Sequence, residues 1–206
     1  MHALSFLPLL LATPSASELL NRQFPHLIIP VNGAEPNRAY GTQLTGNITQ
    51  QVRLPALPFL LPTSPPAYPS LQKYTEISFD IPSNAATSCQ LNFLINTFPS
   101  INAPWFLWGE PPYQFNISSL PPAINKDTDT WNSRPKPVAT IATVTLSKNG
   151  SASISGGAVE PCLKGQVSQF LLHPASEDRE FGFEWFELDY PEALGGAHGI
   201  VFDMLK

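Results

Sequence analysis

Residues 75–95 read TEISFDIPSNAATSCQLNFLI. Ile77, Phe79 and Ile81 fall on one parity, and beyond the turn residues Pro82, Ser83 and Asn84 the apolar set resumes at Cys89, Leu91, Phe93 and Ile95. Successive side chains of a strand point to opposite faces, so the segment predicts two strands, each with one buried face. The same period returns at Tyr113, Phe115 and Ile117 in YQFNI, and at Val138, Ala142, Val144 and Leu146 in VATIATVTL.

In VTLSKNGSASIS, residues 144–155, Asn149-Gly150 predicts a tight hairpin with positive φ at both turn positions. In FGFEWFEL, residues 181–188, Phe181, Phe183 and Trp185 alternate, and the apolar set then moves to Phe186 and Leu188, which predicts a β-bulge near Trp185-Phe186. Glycine flanks a last strand, GIVFDM at 199–204. The 23 prolines and 12 glycines interrupt every helical pattern. The expected fold is an all-β antiparallel β-sandwich, of jelly-roll or immunoglobulin-like two-sheet packing, with proline-rich loops. One domain is expected over 18–206. Residues 54–70, LPALPFLLPTSPPAYPS, carry six prolines and read as an extended surface insertion. A second proline-rich crossing runs from Pro99 to Pro122.

The compartment is read from several features together. Residues 1–17, MHALSFLPLLLATPSAS, have the apolar run and small-residue end of a secretory signal peptide. Two cysteines, Cys89 and Cys162, suit one disulfide in an oxidising space, tying the two sheets. Asn47, Asn116 and Asn149 each open an acceptor sequon for N-glycosylation. The expectation is a secreted, extracellular protein. Eleven basic against 16 acidic residues give a net charge of −5, and no basic stripe exists, which excludes nucleic acid as a partner. No later run approaches the length of a membrane span.

PHLIIPVNGAEPNRAYGTQLTGNIT (25–49), EISFDIPSNAATSCQLNFLI (76–95), TDTWNSRPKPVATIATVTLSKNG (128–150), PCLKGQVSQFLL (161–172) and FEWFELDYPEALGGAHGIVFDM (183–204) follow one another in a familiar order. Together they resemble the fungal But-two family, the ubiquitin-three-binding protein But-two C-terminal domain. The resemblance implies a β-sandwich opened by the strand Leu27 to Val31, with the Asn32 to Gly41 turn steering the chain into the next strand. It carries over no catalytic residue. Its name implies binding to an activating-enzyme subunit of a ubiquitin-like pathway, an intracellular role that competes with the secretion reading.

For a site, the loop NAPWFLWGEPPY offers Trp105, Trp108 and Tyr113 as a stacking platform for sugars, the alternative being that these rings cap the core. This points to cell-wall polysaccharide or a surface protein as partner. A hydrolase would need two carboxylates at a set separation, and EDREFGFEWFELDY offers Glu177, Asp178, Glu180, Glu184, Glu187 and Asp189. They are read instead as solubilising an aromatic strand. Asp127 and Asp129 lack the further oxygen ligands of a calcium loop. His26, His173 and His198 stand singly and are read as structural. No catalytic residue, metal or cofactor is expected.

Overall fold

The computed structural model describes residues 17–52 and 71–206; the expected signal peptide and the 54–70 insertion lie outside the described residues, apart from residue 17. Twelve strands are described: β1 (Leu19–Gln23), β2 (Leu27–Asn32), β3 (Thr45–Gln50), β4 (Gln72–Asp80), β5 (Ser88–Leu94), β6 (Trp105–Gly109), β7 (Tyr113–Leu120), β8 (Ala139–Leu146), β9 (Ala152–Gly156), β10 (Val167–Pro174), β11 (Phe181–Phe186) and β12 (Gly199–Leu205). A single 3₁₀ turn, Glu192–Leu194, precedes the last.

The strands form two antiparallel sheets. The smaller has the order β1-β12-β5, and the larger runs β6-β11-β3-β4-β10-β7-β8-β9 and curls into a half-barrel. The fold is all-β, as the alternation predicts. β2 pairs with β4 alone, beside the place where β3 meets the same strand. That marginal place accommodates Pro30, which has no N–H to donate to a ladder.

Both sheets turn their apolar parity into one interior. Ile77 and Phe79 of β4 meet Phe170 and Leu172 of β10, Phe115 and Ile117 of β7, and Leu91 and Phe93 of β5. Aromatic rings order the middle. Phe183 and Trp185 stack at 5.3 Å between centroids, and the edge of Phe93 meets each of them. Trp185 is fully buried and lies across Gly46 of β3, where any Cβ would strike the indole. Cys89, buried on β5, is bonded to Cys162 in the β9–β10 connection, and so clamps the small sheet to the large one.

Three local expectations are corrected. Asn149 keeps a negative φ, because among the described residues outside glycine only Asn102 has a positive one. The hairpin has a longer loop: Gly150 N–H donates to Ser147 at 3.0 Å, Gly150 takes φ 86°, and Ser147 N–H closes on Ser151 at 2.9 Å. This is a turn followed by a left-handed glycine, which needs positive φ at one position only. No bulge marks Trp185-Phe186. β11 keeps its register with β6 through Trp185 and with β3 through Phe186, and the alternation runs on to Glu187, which takes the inner position while Phe186 faces outward. Val138 is 74% exposed because β8 begins after it, and a register shift opposite Ile117/Ser118 sets the buried parity only from Ala142.

Two outcomes follow from the interior. Gly46→Ala would force the Trp185 ring off its strand and is expected to cost about 1–3 kcal/mol in chemical denaturation. Replacing Cys89 and Cys162 together with serine frees a separation of 73 residues and is expected to cost about 4 kcal/mol by chain entropy, read from the shift in the denaturation midpoint.

Candidate functional site

Because Phe181, Phe183 and Trp185 point inward, β11 turns Gly182, Glu184 and Phe186 outward. β6 and β3 flank it in register. Phe106 and Asn47 lie opposite Glu184, Trp108 lies opposite Gly182, and Thr45 lies opposite Phe186. Trp108 lies across Gly182, whose missing Cβ leaves room for the indole on the outer face. Phe106 is 64% exposed, and with Glu184 and Phe186 it borders a shallow hollow of about 160 Å³. The result is a strip of rings held on paired strands beside a polar pair.

That pair is well defined. Asn47 Nδ2 donates to Glu184 Oε2 at 2.8 Å, and Thr49 Oγ1 donates to Asn47 Oδ1 at 2.9 Å. Both also border a groove of about 600 Å³ beneath the Glu35–Gln43 loop. Across this groove Tyr40 donates its hydroxyl hydrogen to Glu35 and accepts from Asn32 Nδ2 at 3.1 Å, while Arg38 covers its ring at 4.8 Å. The Tyr40 hydrogen bond, with that of Arg38, holds the Glu35 carboxyl below its usual range. Lys73 adds a second cation to the same wall.

The rings singled out in the sequence do not share a face. Trp105 packs against the core and Tyr113 is buried within it, whereas Trp108 faces outward beside Phe106, which the sequence reading passed over. Asn116 is half-buried on β7, opposite in parity to Phe115 and Ile117, and accepts from Thr143 Oγ1 at 2.8 Å. Asn149 is exposed at the hairpin tip and accepts from Ser151 N–H at 3.0 Å.

Among the carboxylates, Glu177, Asp178, Glu180 and Asp189 are exposed, while Glu184 and Glu187 lie on opposite faces and cannot flank one bond. Glu187 Oε2 accepts from Trp185 Nε1 at 3.1 Å and from Ile200 N–H at 3.0 Å, and burial pushes its pKa up to about 8. Asp127 pairs with Lys126 at 2.8 Å at the surface, whereas Asp129 is buried and accepts from Asn125 N–H at 2.7 Å within its own loop. The described residues hold no group of three or more metal-ligating side chains. His198 is fully buried with Nδ1 accepting from Asn96 N–H at 2.9 Å, and burial lowers its pKa. His173 lies half-buried within 3.0 Å of Ser118 Oγ. His26 is exposed, 3.4 Å from Asp80.

A second cluster escaped the sequence reading. The Asn32–Gly41 turn is clasped by the loop that follows β7: Asn132 N–H donates to Pro36 at 3.1 Å and Asn132 Nδ2 to Asn37 at 2.8 Å. The Trp131 ring sits 4.7 Å from Tyr74, and Arg134 covers Trp131 at 4.0 Å. On the same outer parity of the sheet, Ile29 and Val31 of β2 and Leu171 of β10 are also buried, paired beside Tyr74 and Glu76 of β4. Glu76 is fully buried with neither carboxyl oxygen hydrogen-bonded by the protein, and Arg134 Nε is buried in the same state. Burial pushes the Glu76 pKa up to about 8, with Asp129 adding to the effect and Arg134 opposing it. Its sequence signal was a lone acid on the outward parity of β4, which reads as solvated unless a loop is known to cover that face.

Fold and site together define an antiparallel β-sandwich with an aromatic and polar outer face. The family model of the ubiquitin 3 binding protein But2 C-terminal domain matches residues 23–191, and the chain belongs to that family. Comparison with curated proteins gives no match. Among the described residues no helix is long and apolar enough to cross a membrane.

The two carboxyls raised to about 8, Glu76 and Glu187, give the molecule an acid-favouring stability. Below the ordinary carboxyl value near 4.5 both folded and unfolded chains are protonated at these positions; above it the unfolded chain ionises while Glu76 and Glu187 keep their protons to about 8. This contribution is therefore full below pH 4.5 and is lost as pH rises through 8. Glu76→Gln is expected to raise the Tm at pH 8 by at least about 2 °C and to leave it nearly unchanged at pH 4, as read by calorimetry.

Proposed function

We propose that this member of the But2 family is a secreted, non-catalytic fungal binding module acting at the cell surface, cell wall or host interface. The ligand-contacting surface is the outer strip of Phe106, Trp108 and Phe186 beside Glu184, and the ligand is a wall polysaccharide. The observation that carries the reading is Phe106: a large ring, mostly exposed, held on a paired strand next to a carboxylate. A rigid ring costs little entropy on binding and offers an apolar face to the axial hydrogens of a sugar, while Glu184 can accept from its hydroxyls. The leader sequence, the Cys89–Cys162 bond and three sequons support the extracellular compartment.

A second reading comes from the family's name, which describes ubiquitin 3 binding. On it, the same strip docks a ubiquitin-pathway protein inside the cell. Full-length protein in the cytosol, unglycosylated and with both thiols reduced, would favour this reading. The hydrolase reading is weakened by Glu184 and Glu187 facing apart.

The test is sedimentation of purified protein with insoluble wall polysaccharide. Phe106→Ala combined with Trp108→Ala is expected to weaken binding at least tenfold, about 1.4 kcal/mol, at a temperature where circular dichroism shows the variant folded despite the Tm lost on uncovering Gly182. Binding that survives both substitutions would remove the strip from the account.

A further inference from the structure

We propose that the groove between the Glu35–Gln43 loop and β11 is occupied by the protein's own glycan, carried on Asn47, with the first N-acetylhexosamine units lying against Tyr40, Lys73 and Glu184. The inference rests on the secretion reading above and adds to it what the sugar does once attached.

Asn47-Ile48-Thr49 lies on β3, where alternation puts Asn47 and Thr49 on the same face, and the Thr49 hydroxyl donates to Asn47 Oδ1 at 2.9 Å. Asn47 is itself part of the groove wall, and its Nδ2, the atom that would carry the sugar, points at Glu184 on the same wall. A sugar bonded there begins inside the groove by covalent geometry, with no separate association cost. The groove volume of about 600 Å³ falls within the roughly 300–1,000 Å³ of small-molecule clefts. Its walls suit hydroxyl and acetamide groups: the amides of Asn32 and Gln43, the Lys73 ammonium, the Glu35 and Glu184 carboxylates and the Tyr40 ring.

The attachment chemistry leaves this arrangement intact. The amide nitrogen attacks the anomeric carbon of a lipid-pyrophosphate-linked oligosaccharide. The carbon–oxygen bond to pyrophosphate breaks, the lipid pyrophosphate leaves with the electron pair, and one amide proton passes to a base of the transferase. Nδ2 starts with two hydrogens, so one remains to donate to Glu184. Glu184 lies 137 residues further along the chain. A chain glycosylated during translocation carries its sugar before β11 is made, and the groove then closes around it.

Asn149 supplies the internal control, because it is exposed at a hairpin tip. The protein is produced by a secreting eukaryotic host, sequon occupancy is read by glycopeptide mass spectrometry, and the native protein is digested with an endoglycosidase that cuts between the two core N-acetylglucosamines. Cleavage at Asn47 is expected to be at least about tenfold slower than at Asn149, and Tyr40→Ala is expected to bring the two rates within about twofold. Lys73→Ala, a milder change in the same wall, is expected to shift the Asn47 rate in the same direction and serves if the tyrosine variant misfolds. Equal rates at Asn47 and Asn149 in the wild-type protein would overturn the proposal. So would an empty Asn47 beside an occupied Asn149, which leaves the secretion reading standing. Three empty sequons on a chain that retains residues 1–17 would remove both.

Discussion

One ring sets the terms for much of this molecule. Trp185 is the largest of the fully buried side chains, and an indole of that size lies flat over a neighbouring strand only where that strand carries no side chain. Gly46 meets that need. The indole N–H, removed from water, must also find an acceptor. It finds Glu187, two residues on and on the same face, and the same carboxyl oxygen accepts from Ile200 N–H at 3.0 Å, where β12 enters the small sheet. A single inward tryptophan thus calls for a glycine on β3 and a glutamate in the interior, and it couples the two sheets. It also fixes the parity of β11, and with it which residues of that strand meet solvent.

The outer face obeys a different logic. A half-barrel sheet has apolar residues on its convex side as well as its concave one, here Ile29, Val31 and Leu171, and something must cover them. The clasp between the Asn32–Gly41 turn and the Trp131 loop does so. Two of the motifs that carry the family resemblance therefore meet in space, although about 90 residues lie between Trp131 and the turn, by the loop-closure argument that distant segments pair at modest extra entropy. The family match ends at residue 191, yet Ile200, Phe202 and Met204 of β12 belong to the same core. The matched region needs the strand beyond it.

Much of this architecture was legible in the sequence because alternation is a direct consequence of backbone geometry. Ile77 and Phe79, Leu91 and Phe93, Phe115 and Ile117 all face inward as their parity requires. The pairing of Cys89 with Cys162 was legible from the count of two cysteines. Legibility failed where parity and hydrophobicity part company. Phe186 is apolar but exposed, and Glu187 is ionisable but inside, so hydrophobicity alone implies a bulge that the strand does not have. Trp105 and Trp108 look equivalent only if their segment is a loop; in β6 their odd spacing puts them on opposite faces, the second ring lying over Gly182. Glu76 was hidden for the reverse reason. Its cover comes from a loop distant in sequence, and no local pattern encodes that contact.

The outer strip and the groove are compatible only because of where the edges fall. β6 is the terminal strand of the large sheet, and an exposed strand with rings on its outer face invites pairing with a second copy. Here it is five residues long, with Pro104 before it and Pro111-Pro112 after it, which limits any added ladder. Two strands away, Asn47 is the residue at which the face turns from aromatic to polar. A glycan seated in the groove as proposed would stand beside the strip and would obstruct a broad protein surface approaching Glu184. It would leave the Phe106 edge open to a slender ligand such as a single polysaccharide chain. The same carboxylate, shared by both hollows, would then separate the proposed glycan from the proposed ligand.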